Sequence, residues 1–156
     1  MSMKVMWAGA LFLGGWLWFY IFIRQFLFNF MTAYPLIKRM NEASPELIAI
    51  GARRYTSVSV VVCGIVAAAV AAAIAVFCPL YMIISFFVGG LIGLVAFFPR
   101  LSPKNRAMFD TFCASYYRFV PDDELRTAMY NKKPSQMKQR LHAMGLSTDF
   151  IPKFAD

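Results

Sequence analysis

The sequence predicts an all-α integral membrane protein. Three transmembrane helices are expected, a single N-terminal span plus a tight helical hairpin, with a short helical cytoplasmic C-terminal region. Three observations carry this reading. Of 156 residues, 60% are apolar and only 15% charged, against roughly 25% charged in a soluble domain. Two stretches, Val5 to Ile23 and Val58 to Phe98, hold no formal charge, and about 20 such residues cross the hydrocarbon of a bilayer. Sixteen Lys and Arg against eight Asp and Glu give a net charge of +8, gathered outside those stretches. A soluble enzyme, a secreted disulfide scaffold and a disordered tail are excluded on composition.

The first span, Val5 to Ile23, is 19 residues walled by Lys4 and Arg24. At about 1.5 Å per residue it just covers the hydrocarbon thickness. A secretory signal would have a shorter apolar core and a small-residue cleavage pattern, and Arg24-Gln25-Phe26 stands in that place. Trp7, Phe12, Trp16, Trp18, Phe19, Tyr20 and Phe22 run along the whole span rather than gathering at its two ends. This face suits lipid or another membrane subunit, with Gly9, Gly14 and Gly15 permitting close approach. Phe26, Leu27, Phe28, Phe30 and Met31 prolong the helix to Pro35, at the membrane interface.

Ser44-Pro45-Glu46 has the form of a helix start, with serine as N-cap, proline next and an acid in the first turn. A helix over Pro45–Phe77 is predicted, placing Arg53 and Arg54 at the headgroups. Cys78-Pro79 divides the second uncharged stretch almost in half, because proline removes a donor and disfavours helix in the residue before it. The third span then covers Leu80–Phe98. Folding the hairpin at the 78/79 bond pairs Gly64 with Gly93, Ala68 with Gly89 and Ala72 with Ser85. Such small residues let helix backbones meet in lipid, so these six are the expected helix-packing residues. A homodimer through Gly89 and Gly93 is the rival use of the same pattern.

Ser102-Pro103 repeats the serine–proline start. The helix it opens carries Met108, Phe109, Phe112, Cys113, Tyr116, Phe119 and Val120 on one face. Asp122-Asp123-Glu124 and Lys132-Lys133 suit the start and end of the next helix. Pro134-Ser135 begins the last, with Met137, Leu141 and Met144 on one side, Gly145 as C-terminal cap and Leu146 as the following apolar contact. Met108, Phe112, Tyr116, Met137, Leu141 and Met144 are the candidate partner-binding residues, a small tail core being the other use of such a stripe.

The organisation expected is residues 1–57 as span and connector, 58–98 as hairpin and 99–156 as tail. Connector and tail hold fifteen of the sixteen Lys and Arg. Basic loops stay cytoplasmic, so the N-terminus and the Cys78-Pro79 turn are expected outside an inner (plasma) membrane. Arg24, Lys38, Arg39, Arg53, Arg54 and Arg100 are the candidate contacts to anionic lipid. Span interiors carry no Asp, Glu, Lys, Arg or His, which argues against an ion-coupled transporter.

Cys63, Cys78 and Cys113 are too few for a disulfide framework or zinc site, and His142 has no ligand partners near it in sequence. No metal, cofactor or catalytic constellation is expected. Cys78, in an outer turn, is placed to form an intermolecular disulfide. The expected function is a non-enzymatic structural or assembly subunit of a multi-protein inner-membrane complex, of the secretion or DNA-transfer type. Its partners would be membrane lipids and other membrane subunits, or further copies of itself. Three-span phage holins resemble the layout in topology alone, which implies a self-assembling pore as the alternative. A third reading is a nucleic-acid-binding tail, with Gln136, Lys138, Gln139 and Arg140 on the second helix of a helix-turn-helix.

Overall fold

The computed structural model describes residues 3–154, and every regular element among them is helical. In chain order they are α1 (Met3–Trp18), α2 (Arg24–Phe28), α3 (Tyr34–Ala43), α4 (Ile50–Phe77), α5 (Leu80–Phe97), α6 (Arg106–Tyr116), α7 (Asp123–Tyr130) and α8 (Pro134–Ala143). Two π-helical turns, Phe19–Ile23 and Asn29–Ala33, join α1, α2 and α3 into one helix of 41 residues, Met3–Ala43. That helix, Ile50–Phe77 and Leu80–Arg100 are each long and apolar enough to cross a membrane.

The first helix runs past the expected stop at Pro35. The second π turn explains this, since Tyr34 N–H reaches back five residues to Asn29 O and Pro35 falls in the first turn of α3. A missing N–H is tolerated in a helix's first turn. Neither serine–proline pair starts a helix. In both, the serine hydroxyl accepts from the backbone N–H two residues on, Glu46 to Ser44 Oγ at 3.3 Å and Lys104 to Ser102 Oγ at 3.2 Å. The chain therefore turns before it coils. Helix α4 begins at Ile50 rather than Pro45, and Leu47 and Ile48 are buried in the turn before it. Helix α6 begins at Arg106, with Asn105 as N-cap accepting from Ala107 N–H at 3.0 Å. Gly145 occupies the expected C-terminal position of α8 at φ 72°, and Leu146 N–H closes the cap on Leu141 O at 2.9 Å.

The described chain divides into two compact units that cut across the expected three-part organisation. One is Met1–Leu27 with Ser59–Arg100, and the other is Phe28–Val58 with Leu101–Asp156. The connector and the tail thus fold together.

In the first unit, α5 lies along α1, and the contact is made by glycine. Gly15 rests on the backbone of Phe86, Gly89 on the backbone of Phe12 and Gly93 on the ring of Phe19. Gly15 meets Phe86, while Phe19 further along meets Gly93 and Phe97, so the two helices run parallel. Trp18 packs on Phe86 and Phe87, and its indole N–H donates to Ala67 O of α4 at 3.1 Å. The pairing of α4 with α5 by small residues is not what forms. Gly64 faces Phe26 instead of Gly93, Ala68 and Ala72 are exposed, and the Ser85 hydroxyl turns back to Tyr81 O. The physical reason lies in Cβ atoms. Glycine on both helices lets two backbones touch and gather dispersion contacts, whereas an alanine row holds its partner off by one methyl group.

The second unit has an ordinary globular core. Phe28, Ala33, Leu36, Ile37 and Met40 from the first helix meet Leu101, Met108, Phe109, Phe112, Cys113, Tyr116, Leu125, Met129, Met137 and Leu141, all at most 4% exposed. Each Leu, Ile, Met or Phe among them contributes about 1.5–3 kcal/mol by leaving water.

Candidate functional site

The residues expected to bind a partner are mostly unavailable for one. Met108, Phe112, Tyr116, Met137 and Leu141 are buried in the second unit's own core, and only Met144 stays exposed. The stripe looked unmatched in sequence because its counterpart, on α3 and the turn after it, lies some seventy residues upstream. Sequence periodicity shows that a face will be covered, but not by what.

Beneath α6 lies a buried polar cluster that the sequence reading passed over. Tyr116 OH sits 2.8 Å from Thr56 Oγ1 and donates to Asn29 Oδ1 at 3.3 Å. Thr56 also donates to Ala52 O, and Thr32 Oγ1 donates to Leu101 O at 2.5 Å. Asn29, Thr32 and Thr56 are at most 1% exposed. Asn29 and Thr32 both belong to the second π turn. Burial pushes the Tyr116 phenol up from its usual range, against the Thr56 hydrogen bond, so it is held as a neutral donor. No buried side-chain polar atom among the described residues lacks a partner. The cluster is fully satisfied and fixes how α6 seats on the first helix and α4.

Cys113, beside it, is driven up to about 12 by burial first, and then by Asp110. Such a thiol is inert at neutral pH. Among the described residues no three His, Cys, Asp or Glu gather into a metal-binding group.

Charged side chains of α6 to α8 are largely tied to one another. Arg140 donates to both oxygens of Asp122, at 3.1 and 2.6 Å, and pairs with Glu124 at 3.0 Å. Asp122 also caps α7, accepting from Leu125 N–H at 2.8 Å, and the Arg140 hydrogen bonds hold its carboxyl below the usual carboxylate range. Arg106 spans Asp110 and the carbonyl of Lys132, and Arg126 pairs with Asp123. The nucleic-acid reading loses its best cation, since Arg140 is engaged with two carboxylates rather than offered to a groove. Gln136 and Gln139 remain exposed, and together with Asp123 and Glu124 they line an open groove of about 540 Å³. Two acids there oppose a phosphate backbone.

The six expected lipid-contacting cations fall into both units. Lys38, Arg39, Arg53 and Arg54 are exposed on the second, where Lys38 faces Glu42 at 3.8 Å. Arg24 and Arg100 belong to the first. Arg24 follows the first π turn, its guanidinium carbon 4.6 Å from the centre of the Tyr20 ring and 4.7 Å from that of Phe97. Tyr20 in turn stacks on Trp16 at 5.7 Å. Comparison with family models, curated proteins and solved structures finds no match.

Proposed function

We propose that the chain is a non-enzymatic structural subunit of a multi-protein inner-membrane complex, of the secretion or DNA-transfer type. In this reading its N-terminus lies outside and its folded connector–tail unit in the cytoplasm. The observation that supports it most is the surface of α4. Only 6% of its most apolar window is buried, against 22% for the third span. Exposed Ala68, Ala69, Ala72 and Ala73 leave that surface nearly smooth, and smooth helices in lipid gain by packing on other helices. The outward aromatics of the first helix, Trp7, Trp16 and Tyr20, offer a second lateral surface.

The test is extraction of the tagged chain from its native membrane in mild detergent, followed by mass determination and identification of what accompanies it. Other membrane proteins at fixed stoichiometry are the expected result. A solitary monomer overturns the proposal. A large assembly of this chain alone points instead to the holin-like pore, whose induced expression would arrest growth and release ions abruptly.

A further inference from the structure

We propose that Arg24 is a binding site for one phosphate group, carried by an anionic phospholipid headgroup or by a free phosphate. The inference stands on the first unit alone and does not depend on the chain belonging to a complex. That unit, residues 1–27 and 59–100, contains no Asp or Glu at all. Its cations therefore have no carboxylate within the unit to balance them. In the other unit Arg106, Arg126 and Arg140 each meet an acid.

The setting of Arg24 gives the missing anion a shape. Tyr20 and Phe97 lie against the guanidinium, its carbon 4.6 and 4.7 Å from their ring centres, and neither ring supplies an oxygen anion or carbonyl to pair its charge. The five donors radiate in the plane of the group. Among the described residues no hydrogen bond or ion pair from Arg24 to the chain is found, although the side chain is half-buried. A guanidinium beside two rings, with no acceptor on the chain for its donors, keeps a fork that matches two oxygens of a phosphate. Its place in the sequence suits that ligand, since Arg24 directly ends the uncharged run Val5 to Ile23. Arg100, three residues beyond Phe97 on the helix parallel to α1, adds positive charge at the same end.

The experiment follows thermal unfolding of the full chain in a neutral detergent, by intrinsic fluorescence, with three additions: phosphatidylglycerol, diacylglycerol (which has no phosphate) and inorganic phosphate. Phosphatidylglycerol is expected to raise the midpoint and diacylglycerol to leave it unchanged. Arg24→Gln should weaken the apparent affinity about tenfold or more, and Arg24→Lys, which keeps charge but loses the fork, nearly as much. Lys153→Gln, at an exposed cation of the other unit, should retain the full response. If inorganic phosphate alone reproduces the shift and Arg24→Gln removes it, the source is a free phosphate. An equal shift in wild type and both Arg24 variants, or no shift with either phosphate source, overturns the proposal.

Discussion

Lys132 sits at φ 55°, in the left-handed region, where its N–H closes on Met129 O and Lys133 N–H on Ala128 O. Gly145 makes the same closure after α8 at φ 72°. Two helices thus end in one motif, one with the residue suited to it and one without. Lys132→Gly is expected to stabilise the chain by about 0.5–1 kcal/mol, and Gly145→Ala to destabilise it by about 1 kcal/mol, in denaturant unfolding. The glycine was legible from sequence because its role needs no Cβ. The lysine was not, because a paired-lysine helix end reads as dipole compensation. Cys113 gives a pH dependence with a defined sign. Its folded value near 12 exceeds the ordinary 9.0, so the native state keeps a proton that the unfolded state releases. Its contribution is complete below about pH 9 and is lost as pH rises toward 12. Cys113→Ala should flatten the alkaline limb of stability. Iodoacetamide at pH 8 should modify Cys113 only after unfolding, as read by mass spectrometry.

At the scale of elements, helix content and the number of helices long and apolar enough to span a membrane were readable because hydropathy and proline punctuation are local. Which helix packs on which was not. The row Gly64, Ala68, Ala72 matches Ser85, Gly89, Gly93 in spacing as well as Gly15 does, and spacing alone does not weigh a missing Cβ against a methyl. Three helices also compete for one another's faces. Gly89→Leu is expected to force α1 and α5 apart and to cost about 1–3 kcal/mol. Gly14→Ala, where an added Cβ meets nothing within 4 Å, should stay within about 0.5 kcal/mol of wild type. The serine–proline pairs show the same limit from the other side. Each has the composition of an N-cap and proline, yet the hydroxyl satisfies a turn, and the helix waits for Ile50 or for the Asn105 cap.

For the whole molecule, two readings rest on how the chain would cross a membrane, and the proposed three-span crossing would put its two ends on opposite sides. In the proposed threading positive charge sets the sides. Fifteen of sixteen Lys and Arg lie in the connector and tail, and one at Lys4, so the Cys78-Pro79 turn is expected outside. Cys78 is the natural reporter for that turn, but Cys113 is useless as its opposite, since it is fully buried in the second unit's core. An exposed position on α8 serves better, and Gln136 is one. In intact cells a membrane-impermeant maleimide should label Cys78 and leave Gln136→Cys untouched until the membrane is opened. Labelling of Gln136→Cys with Cys78 protected would reverse the threading. It would place Arg24 at the outer leaflet and remove the cytoplasmic setting assumed for the folded connector and tail, while leaving the phosphate chemistry of Arg24 to its own test.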